Sequence, residues 1–338
     1  KETRSKRYFT HTQIVEMPSI RLVLGAVAIG MVTFTSALPA MPKLSPRLLK
    51  MFNLVERQNP ATGLPDGITD TDILQFALTL EFLETAFYAE GFSKFGDADF
   101  TALGLQSADI TNLKSIGGTE QVHVTTLLSA ISATGSKPVA PCTYNFGLTD
   151  AASMVATASI LENVGVSAYL GAAPLLKSPA ILSVAASIVT IEARHQTFIR
   201  VASKAAAIPS PFDTPLGVRN VFTLAAGFIS ACPSGSNLAI TAFPALTMAA
   251  GAGSATATFS AGQSLALNST ASTGATFCAF TNGGQTGGTA FVPFTNGACT
   301  IPQDLAGLTY VNLANAAPAT GVLTDAITVA GPMVMAAS

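Results

Sequence analysis

The chain has 338 residues, of which 49% are hydrophobic and 11% charged, and its formal net charge is −2. This composition is too apolar for a disordered chain and gives no basic surface for nucleic acid, so we expect no nucleic-acid partner. The charge is uneven, because residues 1–57 carry nine Lys/Arg against three Asp/Glu. The length allows two domains behind this basic leader.

The leader has the pattern of a secretory signal peptide. Residues 17–40 begin with a Met, contain one Arg, and continue with an apolar run to Ala37 and further small residues. The run is shorter than the roughly 20 residues that a membrane span needs, so we expect cleavage and secretion, with an uncleaved signal anchor as the alternative. Residues 1–16 would then be an upstream extension, and the proline-containing residues 41–68 an extended arm.

Between residues 69 and 231 the hydrophobic pattern is helical and predicts four long helices. The long helices are predicted over residues 69–96, 107–134, 150–176 and 179–206. Ser178 is a capping residue and Pro179 occupies the first position of the fourth helix, and a short fifth helix should begin near Pro215. Four long apolar helices with one long middle connection predict a four-helix bundle with a long crossover.

After residue 231 the pattern changes to short alternating segments between Gly-, Asn- and Ser-rich turns. Seven strands are predicted within residues 238–248, 254–262, 264–270, 275–280, 289–294, 308–314 and 325–331. They indicate a C-terminal β-sandwich-like domain over residues 232–338. The region from residue 233 onwards has two charged side chains, Asp304 and Asp325, and no His or Glu. We therefore expect it to pack or to contact wall or matrix, not to catalyse.

Four cysteines suit an oxidising compartment and could pair in three ways. Cys278 and Cys299 lie in the β-rich region, whereas Cys142 and Cys232 lie in loops beside helices. We predict the disulfides Cys142–Cys232 and Cys278–Cys299. No cysteine belongs to a CxxC motif, so neither a zinc site nor a redox role is expected. Asn268, in "NST", is a glycosylation acceptor if the chain is secreted.

The glutamates beyond the leader all fall in the predicted bundle helices. They are Glu81, Glu84, Glu90, Glu120, Glu162 and Glu192. Two precede a histidine by three positions, giving Glu120–His123 and Glu192–His195, and residues three apart share one helical face. "LEFLETAFY" and "LENVGVSAY" also align, which matches Glu81 with Glu162. The same alignment matches Tyr88 with Tyr169, so the order indicates a duplicated helix pair.

Folding this pair antiparallel would bring four carboxylates and two imidazoles into an apolar interior. One unpaired buried carboxylate costs on the order of several kcal/mol, and Arg194 is a lone cation within the motifs. Two divalent cations would neutralise four carboxylates, with imidazole completing each coordination shell. The sequence therefore predicts a dinuclear metal centre. The alternative is a set of exposed or protonated glutamates with two structural histidines.

Several stretches resemble a known family. They are "LQFALTLEFLETAFYAEGF", "PVAPCTYNF", "LENVGVSAYLGAA" and "EARHQTFIR", with "FTNGGQTGG" to "LAGLTYV" in the β-rich part. Residues 69–231 resemble a ferritin-like domain, and more narrowly the secreted fungal and plant branch that contains desiccation-related and late-sexual-development stress proteins. The large β-rich tail departs from cage-forming ferritins, so a closed storage shell is not expected, although smaller oligomers are compatible.

The resemblance implies a role for each site residue. By position, the ligands would be terminal Glu81 and Glu162, nitrogen donors His123 and His195, and bridging Glu120 and Glu192. Tyr88 and Tyr169 would orient carboxylates or donate one electron during catalysis, with plain packing as the alternative. We expect Glu84 and Glu90 at solvated helix positions, with extra ligands or residues that line an entry path as the alternatives.

The resemblance also implies an activity. Ferritin-like sites bind iron or manganese, so the expected cofactors are two divalent metal ions, Fe or Mn. The expected partner is a small oxidant or Fe(II) as substrate of a di-iron or di-manganese oxidoreductase, of ferroxidase, oxidase or catalase type, acting in stress or development. The other hypothesis is a non-catalytic structural stress or cell-wall protein with a vestigial or stabilising metal site. The absence of an HExxH sequence excludes a zincin protease.

Overall fold

A computed structural model of the protein describes residues 68–236, 240–249 and 258–337. The predicted upstream extension, signal peptide and arm, up to residue 67, lie outside these residues. The α-helices in the described ranges are α1 (Asp70–Lys94), α2 (Asp97–Ala102), α3 (Ser107–Ala133), α4 (Ala151–Ala172), α5 (Pro179–Ala202) and α6 (Val218–Ala226). None of these helices is long and apolar enough to cross a bilayer.

Side-chain caps determine where the long helices begin. The Thr69 hydroxyl accepts a hydrogen bond from the Asp72 backbone N–H at 3.3 Å, while the Asp72 carboxylate accepts one from the Thr69 N–H at 2.9 Å. Ser178 caps α5 and Pro179 follows it, as predicted. These bonds satisfy N–H groups that have no partner within the helix. The Asp70 carboxylate also accepts from the Ser178 N–H at 2.8 Å, so α1 and α5 begin side by side.

The four long helices form the predicted bundle, in which α1 packs chiefly on α3 and α4 on α5. The connection from α3 to α4 is the long crossover. Gln75 of α1 holds it, since its side-chain amide donates to the Lys137 carbonyl at 2.8 Å and accepts from the Val139 N–H at 2.9 Å. The predicted Cys142–Cys232 disulfide, which is confirmed, ties the crossover to the chain beyond α6.

The strands of the described residues form three sheets. They are β1 (Thr143–Tyr144), β2 (Ile229–Ala231), β3 (Thr247–Met248), β4 (Thr258–Phe259), β5 (Ser264–Asn268), β6 (Phe277–Thr281), β7 (Thr289–Pro293), β8 (Ala298–Thr300), β9 (Gly307–Ala314) and β10 (Thr328–Ala337). Strands β1 and β2 pair beside the disulfide. The others form a five-stranded sheet, β4-β10-β9-β6-β7, and a three-stranded sheet, β3-β5-β8. Only the pairing of β4 with β10 is parallel among these described strands.

The two larger sheets share one apolar core, to which Leu265 of β5 and Phe280 of β6 contribute. The Cys278–Cys299 disulfide joins β6 in one sheet to β8 in the other, which confirms the second predicted pairing. A helical bundle followed by a β-sandwich-like region is therefore the fold expected from the sequence. Each sheet places one face on this core, as the alternating pattern requires.

The differences from the sequence predictions are local. The third long helix ends at Ala172 instead of residue 176, because Pro174 lacks an N–H and a short 3₁₀ turn follows. The short helix α6 begins at Val218 with Gly217 before it, so Pro215 is not its first residue. Strand β8 was not predicted, since its three residues are too few to show an alternation.

Helix α4 is enclosed on all sides. Every residue from Leu161 to Ala168 is buried, so the helix needs packing partners around its whole circumference. Helices α1, α5 and α6 provide most of them. Tyr310 of β9 provides another, because its hydroxyl accepts from the Asn163 amide at 2.6 Å and lies 2.8 Å from the Ser167 hydroxyl. The β-rich part is thus hydrogen-bonded directly to the centre of the bundle.

Removing this hydroxyl should destabilise the protein measurably. In Tyr310→Phe, buried groups of Asn163 and Ser167 lose a partner, so we expect a loss of about 2 kcal/mol in the free energy of unfolding. Tyr144→Phe is the control, since Tyr144 is half-buried and its hydroxyl accepts a single bond from the Cys142 N–H at 3.3 Å. Urea unfolding measures both variants. Equal losses in the two would contradict the assigned role of Tyr310.

Candidate metal centre

Six predicted site residues converge inside the bundle. They are Glu81 of α1, Glu120 and His123 of α3, Glu162 of α4, and Glu192 and His195 of α5. All are buried, and the side chains of the four glutamates are at most 1% exposed. Because residues three apart share a helical face, α3 and α5 each direct one carboxylate and one imidazole to the same point. The alternative of exposed glutamates is therefore wrong for these residues.

Glu120 lies between the two histidines. Its Oε2 is 3.0 Å from the Nδ1 of His123, and its Oε1 is 2.8 Å from the Nδ1 of His195. The Nδ1 of His123 is also 3.3 Å from Glu81 and 3.1 Å from Glu192. On the other side, the Nδ1 of His195 lies 3.2 Å from Glu162. Each imidazole therefore presents the same ring nitrogen to several carboxylates.

The donor atoms fall into two overlapping groups. One group is Glu81, Glu120, His123 and Glu192, and the other is Glu120, Glu162, Glu192 and His195. Within each group the oxygen and nitrogen atoms lie within 4.8 Å of one another. Glu120 and Glu192 belong to both groups. This arrangement could hold two metal ions with two carboxylates shared between them.

Many of these donor atoms have no hydrogen-bond partner. Those without one are Glu81 Oε2, Glu120 Oε1, Glu162 Oε2, both oxygens of Glu192, and His195 Nδ1. Several of these atoms lie close to an atom of another site residue, but the geometry is not that of a hydrogen bond. Among the described contacts between a histidine and a glutamate of the site, only that of His123 with Glu120 is a hydrogen bond. Unpartnered buried oxygens are costly, whereas oxygen and imidazole ligands suit divalent iron or manganese. The residues present therefore fit the predicted metals.

Burial and mutual repulsion shape the ionisation of the site when no metal is bound. Burial raises the pKa of Glu81 to about 7, against the effect of His123. Burial and the charge of Glu120 raise the pKa of Glu192 well above its usual value. Burial opposes charge on Glu120 as well, but the two close imidazoles outweigh it and lower the pKa to about 2. No Lys or Arg in the described ranges forms an ion pair with these carboxylates.

The two tyrosines cross between the duplicated helices. Tyr88 of α1 donates its hydroxyl to Oε1 of Glu162 on α4, and Tyr169 of α4 donates to Oε1 of Glu81 on α1. In both glutamates the other oxygen, Oε2, is the unpartnered atom beside a histidine. Each tyrosine therefore holds one oxygen of a carboxylate and leaves the second available. This reciprocal contact preserves the symmetry expected from the aligned sequences.

Glu84 was assigned to the solvated surface, and this expectation is wrong. It is 4% exposed, and its Oε1 lies 3.1 Å from the position that a Cβ at Gly165 would occupy. The Oε2 of Glu192 is 2.8 Å from the same position. The spacing of Glu84 three residues after Glu81 was the available signal. Glu90 is partly exposed, in agreement with the expected solvated position, and pairs with Lys94 at 2.7 Å.

Comparisons with known proteins agree with this geometry. Residues 69–205 match the family described as a ferritin-like domain. The chain is also similar to Protein rds1 of Schizosaccharomyces pombe, with 26% identity over 178 residues, which cover 52% of this chain and 44% of that protein. The similarity thus spans less than half of the relative. Residues 69–205 form a ferritin-like domain, as the sequence resemblance implied.

Metal binding should release protons. Close carboxylates outweigh burial and raise the pKa of His123 to about 12 and that of His195 to about 10, while burial raises that of Glu81 to about 7. At neutral pH the two imidazoles are protonated and Glu81 is about half protonated. A cation must displace these protons, so affinity should increase as the pH rises. We expect on the order of a tenfold gain per pH unit for each proton displaced.

Calorimetric titration with Mn²⁺ in two buffers of different ionisation enthalpy would measure the number of protons released. The same titration repeated across neutral pH gives the change in affinity. An affinity that does not change with pH would contradict this account of the metal-free site.

Proposed function

We propose that the protein is a secreted ferritin-like oxidoreductase that holds two iron or manganese ions and consumes peroxide or dioxygen, or oxidises Fe(II). The observation that carries this proposal is the pair of buried donor groups that share Glu120 and Glu192. Four buried carboxylates that have no Lys or Arg partner among the described residues favour divalent metal ions over a purely structural arrangement.

In this proposal Glu120 and Glu192 would be ligands shared by both metal ions. Glu81 and His123 would help to hold one ion, and Glu162 and His195 would help to hold the other. Two adjacent ions of this kind supply two-electron chemistry towards a small oxidant. The protein's own contribution is to fix the ligands and to exclude bulk water through burial.

Tyr88 and Tyr169 act in this proposal as positioning residues. Each holds the Oε1 of a terminal glutamate, so the Oε2 is restrained on the side of the histidine. Tyr88 is buried and Tyr169 is half-buried, and burial of their hydroxyls raises the pKa of each well above its usual value. The hydroxyls therefore stay protonated at neutral pH and keep donating to the carboxylates. If a tyrosine donated one electron to the metals, it would do so from the same hydrogen-bonded position beside Glu162 or Glu81.

Secretion is part of the proposal. Two disulfides and no free cysteine among the described residues are typical of an oxidising compartment. We propose that the protein acts in wall or matrix during stress or development, where the sparsely charged β-rich part would make contacts. The non-catalytic alternative places the same protein there, with the metals serving only for stability.

Metal content and turnover distinguish these functions. We expect two metal ions per chain by elemental analysis of protein purified without added metal, together with consumption of hydrogen peroxide or oxidation of Fe(II). Glu120→Ala and Glu192→Ala should each lose both ions, because a shared ligand is removed from both sites. Glu90→Ala is the matched control, since Glu90 lies on a bundle helix but is partly exposed and belongs to neither donor group.

Each outcome of these measurements favours or contradicts a different part of the proposal. Two ions with no turnover, but a higher melting temperature on loading, would favour the structural alternative. Retention of both metals in Glu120→Ala or Glu192→Ala would contradict the bridging roles. Absence of metal, with melting unchanged by added Fe(II) or Mn(II), would overturn the proposal as a whole.

Asn268 offers a separate test of secretion. It ends β5, is exposed, and precedes Ser269 and the exposed Thr270. We expect an N-linked glycan there in protein from the native host, because the acceptor sequence is accessible on the surface. Glycosidase treatment should increase gel mobility, and Asn268→Gln should abolish that shift. An unmodified Asn268 in all of the native protein would contradict this prediction.

A further inference from the structure

An apolar cavity of about 330 Å³ lies beside the metal centre. Helices α1, α4 and α6 and strands β3 and β10 surround it. The apolar residues in its wall include Leu80, Leu161, Val164, Leu224, Phe228 and Met333. Among the described residues that line it, Glu84 is the one with an ionisable side chain. An interior of this kind favours an organic molecule over water or ions.

Glu84 and Gly165 mark the end of the cavity nearest to the metal centre. Both residues line the cavity. Glu84 Oε1 and Glu192 Oε2 lie 3.1 and 2.8 Å from the position that a Cβ at Gly165 would occupy. Because Gly165 has no side chain, these two carboxylates share the space between the cavity and the proposed metals. The cavity and the metal centre are therefore adjacent.

The Glu84 carboxylate has unused hydrogen-bonding capacity. No hydrogen bond or ion pair involving it occurs within the described part of the chain, although the residue is 4% exposed. A buried carboxylate without a donor is costly. A donor carried by a bound molecule would satisfy it. The apolar remainder of the cavity limits such a molecule to few other polar groups.

Part of the cavity wall consists of residues that are partly exposed. Ile160, Phe228 and Met248 are half-buried and Thr247 is exposed, and all four line the cavity. The lining therefore extends from solvent-accessible side chains to the buried Glu84. A molecule could enter from the surface and present its inner end to the metal centre.

We propose that the cavity binds an apolar organic molecule with one hydroxyl group, which donates to Glu84 beside the metals. An apolar cavity of about 150 Å³ accommodates benzene, so this cavity fits a body about twice as large. A medium-length aliphatic alcohol matches both its volume and its mostly aliphatic wall. Binding depends on the cavity alone, whereas the placement of the hydroxyl beside metal ions rests on the proposed metal function.

The first test measures binding of 1-octanol to the full-length, metal-free protein by calorimetry and by the shift in melting temperature. Heptyl methyl ether, an isomer without a hydroxyl donor, is the comparison. We expect octanol to bind about fivefold or more tightly, since its hydroxyl can donate a hydrogen bond to a Glu84 oxygen and the ether cannot. Glu84→Leu should remove this preference while still binding the ether. Failure of octanol to bind, or an unchanged preference in Glu84→Leu, would overturn the proposal.

A cavity-filling variant tests the location independently. Ala225→Leu on α6 enlarges a residue of the wall on a helix that carries no proposed metal ligand, and should weaken octanol binding at least tenfold. Ala185→Leu on α5 is the matched control, because Ala185 lines a separate apolar recess of about 30 Å³. It should leave octanol binding unchanged. Equal effects of the two variants would place the ligand elsewhere and overturn the proposal.

The last measurement tests proximity to the metals. Protein loaded with Co²⁺ should change its visible absorption spectrum when octanol binds, because the hydroxyl lies beside the ligand carboxylates. Octanol binding without a spectral change would overturn the placement of the hydroxyl. If Co²⁺ fails to bind while the octanol results hold, the proposed metal function fails and the cavity assignment stands. The two failures are therefore distinguishable.

Discussion

Burial of several carboxylates in one apolar interior is the constraint on which this structure depends. Each carboxylate loses hydration when the bundle folds, and its neighbours repel it. Within the described residues, the available compensation comes from two histidines and two tyrosines, and it leaves several oxygens without a partner. A surrounding of well-packed helices must supply the stability that this cluster removes. The fully buried stretch of α4 and the disulfide-tied crossover are parts of that support.

The internal duplication divides the buried carboxylates and their hydrogen-bond partners equally between the two halves of the bundle. Each half of the bundle contributes a glutamate with a tyrosine two turns later, and a glutamate with a histidine one turn later. Tyr88 and Tyr169 then reach across to the glutamate of the other half, so neither half is complete alone. Glu84 breaks the symmetry, because the equivalent position in the second half is Gly165. The missing side chain there is what allows Glu84 and Glu192 to lie on either side of it.

The sequence predicted the helices and the central cluster because their signals are strong and repeated. On a helix, the Glu and His of Glu-x-x-His lie on the same face. The matched Glu81 and Glu162 occur in long apolar stretches whose pattern indicates a helix. The burial of Glu84 could not be derived in the same way. It depends on which face of α1 meets α4 and on the small size of Gly165, and both are tertiary facts. Strand β8 was missed for the same reason, because its pairing with β5 defines it more than its own three residues do.

The β-rich part has a closer relation to the metal centre than its composition indicated. It offers no His or Glu, and from the sequence it was assigned to packing or to wall contact. Yet Tyr310 reaches Asn163 and Ser167 on α4, the helix that carries Glu162. Strands β3 and β10 close one side of the cavity that ends at Glu84. In a bundle without these strands, that side would be open to water. The C-terminal region can therefore determine what reaches the buried carboxylates, even though it supplies no ligand to them.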